Sequence, residues 1–289
     1  MKVTRPLIRY HGGKFRLASW LIQFFPNHKI YCEPFGGAAS VLLQKHRSYA
    51  EVYNDLDDDV VNLFRVLQDD KKSARLIQLL EITLFARSEF ELAFTYTDCE
   101  IERARRTIIR AQMGFGSSGA TKGTTGFRSD TSRRYTTAQM DWVKYPPILR
   151  PIIDRLVGVL VENRPALNVI ENHDTPETLF YVDPPYMHNT RVMDNNNHYY
   201  RHEMTEQDHI ALLDKLKNVE GMVVLNGYQS DLYDDALMNL ASGNWQKHST
   251  KSRASAYRGT SIRTEVVWLN PACVDALGAS LGLFQELQA

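Results

Sequence analysis

Long apolar runs are missing from this chain. No stretch approaches the ~20 consecutive hydrophobic residues that a bilayer-spanning helix needs, and Met1-Lys2-Val3-Thr4-Arg5-Pro6 lacks the apolar centre of a secretion signal. Cysteine is scarce as well: Cys32, Cys99 and Cys273 are odd in number and far apart, which argues against a disulfide framework or a zinc knuckle. These absences predict a reducing, cytoplasmic setting without membrane contact. Neither sign of charge is in excess, with 34 Lys+Arg against 34 Asp+Glu. What is present is ordinary for a folded protein: 43 % hydrophobic and 24 % charged residues in 289, enough for one large domain or two modest ones.

The neutrality is not uniform along the chain. Residues 50–100 hold twelve acids and five bases, whereas residues 101–155 hold eleven bases and four acids. A second basic stretch, Lys247 to Arg263, carries five positive charges and no acid. Two such segments are what a phosphate-tracking surface would show, and equally what two solvated loops would show.

Periodicity organises the rest. Lys29–Glu33 reads as a strand, a glycine turn follows, a helix fits Ser40–Lys45, and Glu51–Asn54 reads as the next strand. Strand, turn, helix, strand is the unit of a doubly wound parallel sheet. From Asp58 to about Arg110 the spacing is helical, and Met113–Tyr145 is rich in Gly, Ser, Thr and Arg, the composition of an exposed loop or hairpin closed by Pro146-Pro147. A helix near Ile148–Leu160 precedes a return of strand patterns at Ala166–Glu171, Thr178–Val182, Gly221–Leu225 and Arg263–Leu269, with a helix over Glu206–Lys217. The expectation is an α/β sheet interrupted by an insertion, Asp58–Pro147.

Three short segments carry chemistry. Asp183-Pro184-Pro185-Tyr186 follows the apolar run Leu179–Val182, at the carboxyl end of a strand, where α/β folds bind ligands. Two prolines stop the strand and leave carbonyls free, so a carboxylate, a carbonyl and an aromatic ring lie together. That set accepts both N–H bonds of an exocyclic amine and stacks on its ring; an ordinary strand-ending turn is the plainer alternative. Glu33-Pro34-Phe35-Gly36-Gly37-Ala38-Ala39 lets backbone approach a nucleotide closely, and Asp55, roughly 20 residues further on, suits ribose hydroxyls. Tyr10-His11-Gly12-Gly13-Lys14 is a tight turn presenting a cation beside an aromatic ring, or simply a Gly-Gly loop. Asp174 is a candidate for a cofactor adenine or an ordinary loop acid. His188, His198, His202 and His209 read as part of a polar segment rather than a metal site.

Together these segments make the chain similar to the Dam-like DNA adenine-N(6) methyltransferases. Tyr10–Lys14 matches that family's Gly-Gly-Lys motif, Pro34–Ala39 its Pro-Phe-x-Gly-x-Gly loop, Asp55 the acid ending its second strand, and Asp183–Tyr186 its Asp-Pro-Pro-Tyr motif. Arg263–Trp268 resembles its closing strand. Tyr10 stands where relatives often have another aromatic, and Ala39 replaces the last glycine, a change compatible with a negative φ.

The resemblance implies a Rossmann-like, S-adenosylmethionine-dependent methyltransferase sheet (1–57 and 148–289) with an inserted, mostly helical target-recognition domain (58–147). It implies methyl transfer to adenine in double-stranded DNA with base flipping, release of S-adenosylhomocysteine, no metal, and a monomer or homodimer. Asp183, Pro184, Pro185 and Tyr186 become the catalytic set. Tyr10, Gly12, Gly13, Lys14, Glu33, Pro34, Phe35, Gly36, Gly37, Asp55, Asp174 and Asp183 become cofactor residues. Lys122, Arg128, Arg133, Arg134, Arg253 and Arg258 become DNA contacts, with Phe127 and Tyr135 flanking the arginines. Cytosine-N(4) methylation, glutamine methylation (served by a related motif that begins with asparagine) and a cofactor-sensing DNA-binding protein are the alternatives; Asp183 and the basic insertion speak against the glutamine reading.

Overall fold

Alternation of side chains across the strands sets the architecture. Tyr31, Leu179, Tyr181 and Val224 turn to one apolar core, and Cys32, Phe180, Val182 and Val223 to another, so both faces of the central strands are buried. The computed structural model describes residues 3–117, 119–120, 125–132, 136–190, 200–239, 243–256 and 259–286. Among them the strands are β1 (Ile30–Glu33), β2 (Ala50–Asn54), β3 (Val159–Glu162), β4 (Thr178–Val182), β5 (Met222–Tyr228), β6 (Gln246–Ala256) and β7 (Gly259–Leu269). They form one sheet in the order β3-β2-β1-β4-β5-β7-β6. The first five are parallel, whereas β7 runs antiparallel to β5 and pairs with β6 as a long hairpin.

The helices are α1 (Ala18–Leu21), α2 (Asp58–Gln68), α3 (Asp70–Ile82), α4 (Arg87–Leu92), α5 (Glu100–Met113), α6 (Ala138–Val143), α7 (Leu149–Leu156), α8 (Ala166–Asn172), α9 (Glu206–Lys217), α10 (Asp231–Leu237) and α11 (Pro271–Glu286). On one face, α8, α9 and α10 contribute Val169, Ile170, Leu212, Leu216 and Tyr233. On the other, α2, α3 and α5 share a continuous core with the sheet, and Phe64 of α2 stacks on Tyr53 of β2 at 4.1 Å. The helix α2 starts where Asp57 accepts N–H bonds from Asp59 (2.9 Å) and Val60 (3.4 Å). No helix among the described residues is long and apolar enough to cross a membrane.

The structure corrects four readings of local pattern. Ala166–Glu171 is helix, not strand: Ala166, Val169 and Ile170 bury one helical face directly after Pro165. The helix near Ile148–Leu160 stops at Leu156, where Arg47 caps the carbonyls of Asp154, Arg155 and Val157; Gly158, at φ +80°, then turns the chain into β3. Ser40–Lys45 coils into turns that mix bonds to the third and fourth preceding residues (Gln44 N to Val41 O and Leu43 N to Ala39 O, both 3.0 Å), so no regular helix forms. The Gly-rich loop is not wholly exposed. Phe115 N bonds Gly126 O (2.6 Å), Arg128 N bonds Met113 O (2.8 Å), Phe127 packs on Phe85 and Phe90, and α6 buries Trp142.

Folding pairs part of the basic segment with acids. Arg103 and Arg110 pair with Asp59, Arg105 with Glu89 and Glu102, Arg106 with Glu102, and Arg155 with Glu51. These five arginines of the basic segment are therefore paired, with Asp59, Glu89 and Glu51 of the acidic segment and with Glu102 of their own.

Glu51 is the most enclosed of these acids. Lys45 Nζ lies 2.7 Å from it with both side chains 2 % exposed, and Arg155 bonds it at 2.5 and 2.8 Å. Burial pushes this carboxyl up, but the bonds from Arg155 and Lys45 outweigh burial and hold it below its usual range. Glu51→Ala would strand two cations, and it is predicted to lower stability by ~3–5 kcal/mol, read as a fall in the urea midpoint.

Candidate active site

Between β1 and β4 the strand order reverses, and a crevice opens at the carboxyl ends of these parallel strands. A cavity of about 590 Å³ lies there, lined by Tyr10–Lys14, Glu33–Ala38, Asp55, Tyr181, Asp183–Tyr186, Tyr200–Met204, Tyr228 and Glu265 among others. The three motif segments thus share one chamber.

The floor is the turn after β1. Gly36 donates to Asn54 O (2.7 Å), and a Cβ on it would fall 2.1 Å from the Tyr53 ring. Gly37, at φ +49°, donates to Asp55 Oδ2 (2.8 Å) while its carbonyl accepts the Tyr53 hydroxyl (2.6 Å); a Cβ there would meet Tyr10 at 2.8 Å. Both positions exclude side chains. Ala39 does not meet the condition of a negative φ: at +51° it is the one non-glycine with positive φ among the described residues, held there by Ala39 N to Gly36 O (2.8 Å) and Leu43 N to Ala39 O (3.0 Å).

Two carboxylates of the floor resist ionisation. Burial pushes Glu33 up to about 7, despite bonds from the Tyr31 hydroxyl (2.6 Å) and Leu42 N (2.8 Å). Asp55 rises to about 6 for the same reason, although Asp57 N and Gly37 N both donate to it.

The wall is the Asp-Pro-Pro-Tyr turn. Lys14, expected at the cofactor, lines the cavity and reaches Asp183: Nζ lies 2.9 Å from Asp183 Oδ2, donates to Gly12 O (2.7 Å) and sits 4.7 Å from the centre of the Tyr186 ring. Burial alone would lower the Lys14 pKa; Asp183 and Glu265 more than offset it, so it is raised. Asn226 donates to Asp183 Oδ1 (3.0 Å) and to the Tyr186 hydroxyl (2.7 Å), which donates to Glu265 Oε2 (2.8 Å). Above Gly12, Tyr200 donates to His11 O (3.3 Å), and Arg201 pairs with Asp57 (3.0 Å) and Asp59 (2.6 Å). Burial opposes ionisation of Asp59, yet Arg103, Arg201 and Arg110 together hold it down at about 2.

Asn226, Glu265, Tyr181, Tyr200 and Arg201 were not picked out as site residues from sequence. A polar Asn ending the apolar run Met222–Leu225, and a Glu within the closing strand, were the available signals.

Two assignments need correction. Asp174 lies at the opposite, amino end of β4, where its carboxylate caps Glu220 N (3.1 Å) and Gly221 N (2.9 Å); it is a loop acid outside the cavity. Arg128 is only 11 % exposed, donates to Gln112 O (2.9 Å) and lies 3.9 Å from Asp141, so it braces the loop base instead of presenting a charge. Lys122, Arg133, Arg134, Tyr135 and Arg258 lie outside the described residues, as does the side chain of Arg253 on β6. Of the four histidines, His209 bonds the Tyr233 hydroxyl (2.8 Å) in the core, His188 lies 3.9 Å from Glu203, His202 lines the cavity, and His198 is outside the described residues; among the described residues no three His, Cys, Asp or Glu side chains are grouped to hold a metal.

The sequence model for "D12 class N6 adenine-specific DNA methyltransferase" matches residues 10–251. The chain belongs to that family. The matched region runs from Tyr10 of the Gly-Gly-Lys turn into β6, taking in both the floor and the Asp183–Tyr186 wall. Among curated relatives of this D12 chain, a DNA adenine methylase of Haemophilus influenzae is 37 % identical over 65 residues, 22 % of each protein. The type II methyltransferase M.MjaIII of Methanocaldococcus jannaschii is 21 % identical over 260 residues, 80 % of this chain and 86 % of that protein. The chain thus spans about a fifth of the first relative and most of the second.

The raised Glu33 makes the D12 site a liability for stability. Its folded pKa of about 7 exceeds the ordinary 4.5, so the folded state binds the proton more tightly, and stability falls as pH rises from 4.5 through about 7. Glu33→Gln is predicted to gain up to ~3 kcal/mol over the parent at pH 8 and to converge with it below pH ~4.5, measured by urea unfolding across that range.

Proposed function

We propose that the cavity binds S-adenosylmethionine and that the chain methylates the exocyclic amine of adenine in double-stranded DNA after the base is flipped out of the duplex. The observation that carries this reading is the Asp183–Tyr186 turn facing the cavity, its carboxylate held by Lys14 and Asn226.

The residues present fit the cofactor. Gly36 and Gly37 leave backbone that a Cβ would block, and the buried Tyr181 hydroxyl has no hydrogen-bond partner in the cavity wall. Seven carboxylates line the chamber (Glu33, Asp55, Asp57, Asp183, Glu203, Asp208 and Glu265), against the cations Lys14 and Arg201. Even with Glu33 and Asp55 set aside, five carboxylates face two cations, an imbalance that suits a cationic ligand, and the volume suits one of nucleoside size. When bound, S-adenosylmethionine supplies a methyl group already activated by its sulfonium. Asp55, Glu33 and the backbone of Gly36-Gly37 are the groups that would hold it.

On the base side, the Asp183 carboxylate and the Pro184 carbonyl accept the two amine hydrogens, which localises the nitrogen lone pair. Lys14 and Asn226 hold Asp183 by one bond on each oxygen, leaving lone pairs for the amine. The gain is in positioning and preorganised electrostatics, without a strong base. Tyr186 presents its ring to the base, which leaves the stack at a cost of roughly a few kcal/mol. In the same reading residues 58–147 carry target recognition, with Arg133 and Arg134 on phosphates or base edges.

Purified protein, duplex DNA and labelled cofactor test the chemistry directly. N6-methyladenine in the digested product is the expected result; N4-methylcytosine or unlabelled DNA would refute it. Asp183→Ala is expected to abolish transfer with the fold intact, and near-normal turnover would rule out the paired-acceptor mechanism. Replacing Arg133 and Arg134 together should flatten the salt dependence of DNA binding by up to ~1 log unit per lost phosphate contact, read by fluorescence anisotropy at two salt concentrations.

A further inference from the structure

Glu265 is a buried glutamate in a strand whose next four residues, Val266–Leu269, are apolar. Register puts it opposite Tyr228 of β5 and Thr250 of β6, at the level where the sheet meets the cavity. Its Oε2 accepts the Tyr186 hydroxyl at 2.8 Å, and Oε1 lies 3.5 Å from Ser252 Oγ. The same hydroxyl accepts from Asn226 at 2.7 Å, and the Asn226 amide also donates to Asp183. With Lys14 on the other Asp183 oxygen, five side chains form one continuous hydrogen-bonded chain: Glu265, Tyr186, Asn226, Asp183 and Lys14.

With Glu265 ionised, the direction of every bond in that chain follows from its donors and acceptors. An ammonium and an amide NH₂ only donate, and a carboxylate only accepts. Since the Tyr186 oxygen already receives the Asn226 N–H, its own proton must point elsewhere, and Glu265 is the acceptor that takes it. Removing that acceptor takes away the partner of the Tyr186 proton and loosens one end of the set of bonds that orients the Asp183 carboxylate. A buried carboxylate is costly unless it is used in this way, and a charged acceptor makes the stronger bond.

We propose that Glu265 is a positioning residue for methyl transfer, acting through the Tyr186 hydroxyl to fix the Tyr186 ring, the Asn226 amide and, through them, Asp183. This rests on the reading of Asp183–Tyr186 as the methyl-transfer site.

A double-mutant cycle in single-turnover methylation tests it, using the full chain, duplex DNA and S-adenosylmethionine. Glu265→Ala should slow the transfer step about ten- to hundredfold. Cofactor affinity by calorimetry should move less than about threefold. In a Tyr186→Phe background, which lacks the hydroxyl, adding Glu265→Ala should change the rate less than about threefold. Glu265→Gln, which keeps an acceptor, should recover most of the loss. If Glu265→Ala does not fold, Glu265→Asp, which draws the carboxylate back by one methylene, takes its place in the cycle. An active parent whose Glu265 variant is unimpaired, or equally impaired with and without the Tyr186 hydroxyl, overturns the role of Glu265. A parent that methylates no DNA overturns the underlying assignment of the reaction instead, and the proposal with it.

Discussion

The ammonium of Lys14 is the charge on which the cavity wall is balanced. It is buried, and it stands 2.9 Å from Asp183. Placed there, it joins the N-terminal turn to the end of β4, segments far apart in sequence, and compensates a carboxylate that a mostly enclosed wall would otherwise disfavour. The glycines at 12 and 13 let the chain fold back tightly enough for Nζ to reach both Gly12 O and Asp183. The crevice at the strand-order reversal supplies the room, and the covered faces of the parallel sheet supply the rigidity.

Sequence pattern carried the central features of this arrangement. The strands β1, β2 and β4 and the helix α9 are read within a residue or so, because their apolar spacing is strict and turn residues bound them. The three motif segments also meet in one cavity. Where pattern failed, the reasons are physical. Ala166–Glu171 is a short apolar run whose period does not distinguish strand from helix without its partners. The strand β6 is a polar sequence, Gln246–Ala256, which takes its conformation from pairing with β7 and not from its own propensity. Asn226 and Glu265 bond to residues about 40 and 80 positions away, and spacing within a segment does not reveal such contacts.

Charge was the least legible property. A run of arginines reads as a nucleic-acid surface, yet Arg103, Arg105, Arg106 and Arg110 lie along α5 against acids of α2, α4 and α5 itself. Linear charge density measures composition, whereas a field outside the protein depends on what remains unpaired after folding. The cavity itself is acidic, the sign opposite to that of a phosphate-binding surface.

The hairpin of β6 and β7 is longer than the sheet it belongs to. Pairing with β5 ends at Glu265, while pairing between the two hairpin strands continues from Thr264 to Gly259, so the outer half is a two-stranded ribbon beyond the site end of the sheet. A ribbon with no third strand is marginal in water. The hairpin therefore has two thermodynamic identities: Val266–Leu269 open only with the global core, whereas Gly259–Thr264 open by local fraying at far lower free energy. Amide exchange along this strand would step sharply at Glu265, so the residue that accepts the Tyr186 hydroxyl sits at the boundary between the three-stranded part of the hairpin and its two-stranded arm.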